Sequence, residues 1–146
     1  MSSSQKPSEQ LSEFTIYIDG ACRGNPGPAG VGMVIYGPRM EKISERNQYL
    51  GKATNNVAEY QALIFALKEA RRLGGRKVRI YTDSQLLVRQ FNGEYRLRDK
   101  KLKNLFQQAR TEAQEIPELT IIYTEREKTQ EADRLANQAI NLKIKA

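Results

Sequence analysis

Histidine and tryptophan are absent from this chain of 146 residues, and Cys22 is its single cysteine. The absence of histidine excludes catalytic triads and acid-base chemistry that need an imidazole. One cysteine forms no internal disulfide, which argues against a disulfide-stabilised secreted domain. Without a histidine base, we expect Cys22 to be a buried, inert thiol.

Long apolar runs are also missing from the chain. No stretch approaches the ~20 apolar residues that cross a membrane, and the polar N-terminus lacks the apolar core of a signal peptide. We therefore expect a soluble, cytoplasmic protein with no membrane partner. The length fits one domain around a single core, and we expect a monomer.

Positive charge is present in excess, because 24 Lys and Arg stand against 17 Asp and Glu, a net charge of +7. Residues 68–110 alone hold 13 basic and 4 acidic residues. This excess is consistent with a polyanionic partner, although a basic surface also favours solubility. The densest part holds five cations that suit contacts with a phosphate backbone, with a solvated helix face as the alternative: Arg96, Arg98, Lys100, Lys101 and Lys103.

The order of the periodic segments predicts an α/β fold. We expect a disordered tail over residues 1–13, one domain over 14–142 and a C-terminal tail over 143–146. The strands are predicted at 14–19, 31–36, 42–50, 77–82 and 119–124. The helices are predicted at 55–73, 84–91, 99–115 and 130–142. Short links make the first three strands an antiparallel meander, and helical crossovers make the last two parallel to the first, which gives a mixed sheet.

Two aspartates end strands that nearly repeat each other. The repeats are Ile16-Tyr17-Ile18-Asp19 and Ile80-Tyr81-Thr82-Asp83. If these strands are parallel neighbours in register, both carboxylates lie at the sheet edge where α/β folds collect ligands. Two carboxylates a few ångströms apart repel each other, so a positive charge is expected between them. The alternative is that each aspartate caps the turn or helix that follows.

Two further acids lie on the apolar faces of predicted helices. Glu59 shares a face with Leu63, Ala66 and Ala70, and the face of Asp133 continues through apolar residues toward the C-terminus. A solvated acid is normally found elsewhere on a helix, although both positions are near a helix start, where a negative charge is favoured.

A cluster of four acids from four elements has one common use, which is to hold divalent metal ions. Oxygen ligands without histidine or a cysteine cluster suit Mg²⁺ or Mn²⁺ rather than Zn²⁺. The chemistry that remains is metal-assisted hydrolysis or phosphoryl transfer. Glu125 ends a third similar strand but ranks below Asp133, because it lies in a charged run typical of a solvated loop.

Two polar loops flank the predicted metal site. The Gly- and Pro-rich segment 20–30 follows Asp19, and it is either plain turn chemistry or a loop that a ligand backbone approaches closely. Thr54-Asn55-Asn56 precedes the first helix, where one of the three acts as the N-cap and free amides there can bind a phosphate.

With these residues in view, the sequence resembles type 1 ribonuclease H from Phe14 to about Asn141. Four ordered motifs carry the resemblance: Ile18-Asp19-Gly20-Ala21-Cys22-Arg23-Gly24-Asn25-Pro26-Gly27, Thr54-Asn55-Asn56-Val57-Ala58-Glu59, Thr82-Asp83-Ser84-Gln85, and Glu131-Ala132-Asp133-Arg134-Leu135-Ala136-Asn137. The resemblance implies a five-stranded mixed sheet flanked by helices. It also implies endonucleolytic hydrolysis of the RNA strand of RNA-DNA hybrids, leaving a 5′-phosphate and a 3′-hydroxyl.

The resemblance further implies residue roles. Asp19, Glu59, Asp83 and Asp133 would hold two Mg²⁺ ions, with Mn²⁺ as a substitute, one ion activating water and the other stabilising the leaving 3′ oxygen. The implied substrate contacts in the minor groove are Asn25, Asn55, Asn56 and Gln85, with Thr54 and Asn55 near a DNA phosphate. RNA would be recognised through its 2′-hydroxyls, and duplex RNA is a further possible partner.

The chain departs from the family pattern in two ways. Many members carry a histidine before the last acid, and here Arg126 is the nearest substitute, as a cationic rather than a titrating group. Many bacterial members insert a basic, Trp-rich segment after the third motif, and residues 92–101 are too short for it. The rival interpretations are a non-catalytic nucleic-acid-binding module of the same fold and a related resolvase or exonuclease.

Overall fold

The computed structural model describes residues 12–94 and 97–145, and these form one five-stranded sheet with helices on both faces. The strands are β1 (Glu13–Cys22), β2 (Gly27–Tyr36), β3 (Lys42–Ala53), β4 (Lys77–Thr82) and β5 (Glu118–Tyr123). The helices are α1 (Asn55–Arg72), α2 (Gln85–Phe91), α3 (Lys100–Ala113) and α4 (Gln130–Lys145), with a 3₁₀ turn at Arg126–Thr129 before α4. The predicted α/β class is confirmed.

The strands lie in the order β3-β2-β1-β4-β5. β1 pairs antiparallel with β2, and β2 pairs antiparallel with β3. β4 is parallel to both β1 and β5. The predicted mixed sheet is therefore confirmed. β1 runs beyond the predicted end at Asp19, because its pairing with β2 continues through Cys22 and Ala29.

The main core lies on one face of the sheet, where alternate residues of β1 and β4 point toward α1. Phe14, Ile16 and Ile18 of β1 are buried, as is Ile80 of β4. The apolar stripe of α1 packs in the same cluster, and Leu63 within it is fully buried. This alternation leaves Tyr17 and Asp19 on the opposite face, as predicted from the period of a strand.

Two glycines allow helices to approach the sheet at the level of Asp19. A Cβ atom on Gly20 would lie 2.5 Å from the Ala58 carbonyl oxygen in α1. A Cβ atom on Gly32, which pairs with Asp19, would lie 2.1 Å from the Ala132 carbonyl oxygen in α4. No side chain fits at either contact, so both helices begin close to the end of β1.

Side chains cap the starts of three helices, and a cap was predicted for the first of them. Thr54 caps α1 by accepting a hydrogen bond from the Val57 N–H at 3.2 Å. Ser84 caps α2 and Asp99 caps α3, so each lies one residue before its helix rather than at its first position. Such caps satisfy backbone N–H groups that the helix itself leaves without partners.

The ends of the domain extend into the segments predicted as tails. Glu13 begins β1, and the Ser12 carbonyl accepts hydrogen bonds from the N–H groups of Arg76 and Lys77. α4 continues to Lys145, three residues beyond its predicted end. The rest of the predicted N-terminal tail, residues 1–11, lies outside the described residues, as does residue 146. None of the described helices is both long and apolar enough to cross a membrane.

Candidate active site

A cavity of about 660 Å³ opens at the carboxyl ends of β1 and β4. All four predicted acids line it, together with residues of the first loop and of the segment before α4. The lining residues are Asp19, Gly20, Ala21, Cys22, Asn55, Glu59, Asp83, Arg126, Gln130, Asp133 and Asn137. Four acids from four separate elements therefore converge on one space.

Strand register brings Asp19 and Asp83 together. Tyr17 pairs with Tyr81 across the parallel β1–β4 pair, and their rings stack with centroids 4.8 Å apart. Each aspartate follows its tyrosine by two residues, so both point to the same face of the sheet. Asp83 does not cap α2, because Ser84 Oγ accepts the hydrogen bond from the Leu87 N–H. The capping alternative for Asp83 is therefore wrong.

Glu59 reaches the same point from the first turns of α1. Its Oε1 accepts a hydrogen bond of 2.9 Å from the Gly20 N–H, which fixes the carboxylate against the end of β1. One carboxylate oxygen from each of Asp19, Glu59 and Asp83 lies within 4.8 Å of the others. Thr54, rather than Glu59, caps the helix, and no acid lies in its first turn.

Asp133 completes the group from α4 in a different environment. Its side chain is exposed, whereas Ala136 and Ile140 are buried. Asp133 therefore lies beside the apolar stripe rather than on it, which corrects the prediction from periodicity. The Asn137 amide donates to Asp133 Oδ1 at 3.2 Å, and Arg23 Nη2 donates to Asn137 Oδ1 at 3.2 Å.

The electrostatics of the cavity are those of acids held too close to one another. Burial, the charge of Glu59 and a hydrogen bond with Asp133 raise the pKa of Asp19 from 3.8 to about 10. Burial and the charge of Asp83 raise the pKa of Glu59 from 4.5 to about 8, against the opposing effects of the Gly20 N–H and Arg126. A bound cation would relieve this repulsion. The donor set is carboxylate oxygen alone, which fits a hard divalent ion.

The segment before α4 closes one side of the cavity. Arg126 Nε lies 3.8 Å from Asp83 Oδ2, and the Arg126 side chain is 87% exposed. Thr129, in the same 3₁₀ turn, is fully buried and donates a hydrogen bond of 2.8 Å to Asp83 Oδ2. Glu125 is exposed and lies outside the lining of this cavity, in agreement with its lower rank as a ligand.

A second cavity, of about 420 Å³, gathers most of the predicted substrate contacts. It is lined by Asn25, Thr54, Asn55, Asn56, Val57, Asp99, Lys101 and Leu102. The Asn55 N–H donates a 2.9 Å hydrogen bond to Asn25 Oδ1, which joins the first loop to the start of α1. Because Asn55 lines both cavities, they are neighbours.

Two described residues among the predicted substrate contacts are not brought to this second cavity. Gln85 is the first residue of α2 and is exposed. Arg98 is exposed just before α3, and among the described residues neither side chain lines the two cavities above. Arg96 lies outside the described residues.

Cys22 differs from its predicted environment. Its side chain is half-buried rather than buried, and it lines the acidic cavity. The thiol lies within hydrogen-bond distance of the Gly24 carbonyl oxygen, at 2.5 Å, and of the Ala53 carbonyl oxygen, at 2.9 Å. The second contact joins the end of β1 to the end of β3.

Sequence reasoning missed three polar residues around the acids, namely Thr129, Asn137 and Arg23. Asn137 follows Asp133 by one helical turn, and this i, i+4 spacing is a signal that predicts the contact. The contacts of Thr129 and Arg23 join segments 46 and 114 residues apart, so no local pattern reveals them.

Known proteins resemble this chain in both sequence and fold. The family model described as "Reverse transcriptase-like" matches residues 17–139. The "Bifunctional protein Rv2228c" of Mycobacterium tuberculosis is 39% identical over 130 residues, which cover 88% of this chain but 36% of that protein. The "Ribonuclease HI" of Halobacterium salinarum is 38% identical over 125 residues, 86% of this chain and 63% of that protein. The chain thus spans about a third of the mycobacterial relative and under two thirds of the archaeal one.

Solved structures cover nearly the whole domain. The crystal structure of RNase H1 from Halobacterium salinarum has a TM-score of 0.86 at 37% identity and covers 88% of this chain and 98% of that one. LC11-RNase H1 in complex with an RNA/DNA hybrid has a TM-score of 0.85 at 40% identity and covers 90% of this chain and 99% of that one. Sequence, fold and the ordered motifs around the four acids agree, and the chain belongs to the type 1 ribonuclease H family.

Proposed function

We propose that this chain hydrolyses the RNA strand of RNA-DNA hybrids endonucleolytically, leaving 5′-phosphate and 3′-hydroxyl ends. One observation carries the proposal: carboxylate oxygens of Asp19, Glu59 and Asp83 gather within 4.8 Å at the open end of parallel strands. Folding alone gives no reason to place three acids there, because each disfavours the ionised form of the others. Membership of the ribonuclease H family supports hydrolysis of RNA in a hybrid as the reaction of this cluster.

Asp19, Glu59, Asp83 and Asp133 would hold two Mg²⁺ ions, or Mn²⁺ in their place. Bound metal supplies Lewis acidity for activating water and for stabilising the leaving 3′ oxygen. The chain itself supplies the fixed orientation of the acids. Gly20 holds Glu59 through its N–H, and Asn137 holds Asp133 through its amide.

Arg126 is proposed to take over the position of the missing histidine. It lines the acidic cavity, and its exposed guanidinium lies near Asp83. A guanidinium stays protonated at all working pH values, so it can attract and orient a scissile phosphate but cannot transfer a proton. Its proposed role is therefore electrostatic.

The second cavity is proposed to bind the substrate next to the acids. Thr54, Asn55 and Asn56 offer hydroxyl and amide groups at the start of α1, where a phosphate is favoured, and Lys101 adds a positive charge. Asn25, Gln85, Arg96 and Arg98 are proposed as further contacts. The complex of LC11-RNase H1 with an RNA/DNA hybrid supports a hybrid as the substrate.

Duplex RNA as a second substrate, a monomeric state and a cytoplasmic location stay predictions from the sequence.

The proposal is tested with four labelled substrates of one sequence: an RNA-DNA hybrid, duplex DNA, duplex RNA and single-stranded RNA. Each is incubated with Mg²⁺, Mn²⁺ or EDTA, and the products are resolved on a denaturing gel. We expect internal cuts in the RNA of the hybrid with either metal and none with EDTA. Binding without cleavage under every metal condition indicates a binding module, and cleavage of duplex DNA indicates a related nuclease or resolvase. Either result contradicts the proposal.

A further inference from the structure

Thr129 is a polar residue that the function described above does not use. It ends the 3₁₀ turn between β5 and α4, and its relative exposure is 0%. A buried hydroxyl needs a hydrogen-bond partner, because desolvation of an unpaired one is costly. Its partners show what the residue does.

The Thr129 hydroxyl has one proton and two acceptors in reach. Oγ1 lies 2.8 Å from Asp83 Oδ2 and 3.2 Å from the Arg126 carbonyl oxygen. A bond to a carboxylate is shorter and stronger than one to a neutral carbonyl, so the proton belongs on the Asp83 side. The longer contact within the turn is the second choice for the same proton.

This bond fixes the orientation of Asp83 from behind the site. Asp83 follows the last residue of β4 and precedes the N-cap of α2. Its backbone therefore belongs to neither the strand nor the helix. Oδ2 is held by Thr129, on the side where Arg126 Nε also lies. Thr129 is buried and does not line the cavity, so its hydroxyl contacts the carboxylate without occupying the space of a metal or substrate.

We infer that Thr129 is a positioning residue for Asp83. Its hydroxyl orients the Asp83 carboxylate for metal binding and connects the 3₁₀ turn at Arg126–Thr129 to the acids. The inference rests on the proposed function, since it assigns Asp83 to the metal site. It differs from a purely structural role in one consequence: loss of the hydroxyl weakens metal binding and turnover in a protein that still folds and still binds hybrid.

The test compares Thr129→Val, which keeps the shape and removes the donor, with Thr129→Ser, which keeps the donor. Thr111→Val is the matched control, because the Thr111 hydroxyl donates to a backbone carbonyl within α3, and the exposed residue lines neither the acidic cavity nor the second cavity. For each variant, calorimetry measures Mn²⁺ affinity, single-substrate kinetics measures kcat and KM for the hybrid, and thermal unfolding checks the fold.

We expect Thr129→Val to weaken Mn²⁺ binding and lower kcat by about tenfold each, with KM within about twofold of wild type. Thr129→Ser should restore both values, and Thr111→Val should change neither. Wild-type Mn²⁺ affinity and kcat in a folded Thr129→Val variant would overturn the inference, and so would a Thr129→Ser variant as impaired as Thr129→Val.

Two further arms keep the result decisive. If Thr129→Val does not fold, Thr129→Ala replaces it in the same comparison with Thr129→Ser. The calorimetry needs no turnover, so it tests Thr129 even if the wild type fails to cleave hybrid. An inactive wild type whose Mn²⁺ affinity still depends on the hydroxyl contradicts the proposed function and supports the role of Thr129.

Discussion

Replacing the ionisable carboxyl group of Glu59 should stabilise the metal-free protein. In the wild type the Gly20 N–H donates a hydrogen bond of 2.9 Å to Glu59. The substitution Glu59→Gln keeps an oxygen that can accept this bond and keeps the size of the side chain. What it removes is an acid whose ionisation is opposed by burial and by the charge of Asp83. The change therefore isolates the electrostatic cost of the site from its packing.

The magnitude follows from the pKa of Glu59, which rises from 4.5 to about 8 on folding. Because the folded-state pKa lies above the unfolded value, the folded protein binds the extra proton between these pH values, and the free energy of unfolding falls as pH rises through them. At pH 7 the difference amounts to at most about 3.4 kcal/mol, at ~1.36 kcal/mol per pH unit above 4.5. The cavity is open to water, which lowers the cost, so we expect a gain of about 1–3 kcal/mol.

The assay is urea unfolding followed by circular dichroism, at pH 5 and pH 7, with EDTA and then with Mg²⁺. The gain in the free energy of unfolding from Glu59→Gln should be largest at pH 7 in EDTA. It should be small at pH 5, because pH 5 lies only slightly above the unfolded-state pKa of Glu59. Mg²⁺ should narrow or reverse it, because the wild type gains more from binding the ion. Glu118→Gln, at an exposed position of β5, controls for the loss of a negative charge alone. A Glu59→Gln variant no more stable than wild type at pH 7 in EDTA would refute the reasoning.

Three further predictions concern the reaction and the placement of the acids. Asp83→Asn should lower cleavage at least ~1,000-fold while hybrid binding persists in a gel-shift assay, since several kcal/mol of metal-dependent stabilisation are lost; normal turnover would contradict the site. Arg126→Ala should lower kcat about tenfold and change KM less, with partial recovery in Arg126→Lys, because the exposed guanidinium acts through charge; equal kinetics in all three proteins would remove its role. Gly32→Ala should cost about 1–3 kcal/mol in urea unfolding, because a Cβ atom would lie 2.1 Å from the Ala132 carbonyl oxygen; wild-type stability would show that α4 can move away freely.

The sequence predicts the strand register at the site because the pattern that sets it is local. Tyr17 and Tyr81 occupy equivalent places in two similar strands, and a parallel pair in register aligns the acids that follow them. Glu59 was predictable for a similar reason, since an acid on the buried stripe of a long helix needs a partner. These signals depend on the periods of a strand and a helix, which the sequence displays directly.

The surroundings of the acids were less predictable because they depend on contacts between distant segments. The charged run at 125–128 is typical of a solvated loop, yet its last three residues form a 3₁₀ turn with Thr129, which is buried and bonded to Asp83. Helical periodicity predicts Asp133 on an apolar stripe, yet Asp133 is exposed and accepts a hydrogen bond from the Asn137 amide. In both cases the packing of α4 against the sheet decides the outcome. The segments in contact are far apart in the sequence, so the local pattern of one does not reveal the other.

The instability of the acidic cluster is also the origin of its affinity for a cation. The stacked Tyr17–Tyr81 pair and the Gly20 N–H hold carboxylates where burial and mutual repulsion raise the pKa of Asp19 to about 10 and that of Glu59 to about 8. At pH 7 the metal-free site therefore retains protons, and a divalent cation that binds there displaces them. The rest of the fold supplies the free energy that keeps the acids together, and a bound cation offsets their mutual repulsion by attracting each carboxylate. Since this affinity would come from carboxylates alone, it needs no histidine, and under the proposed function the missing histidine changes only the group proposed to face the scissile phosphate, Arg126.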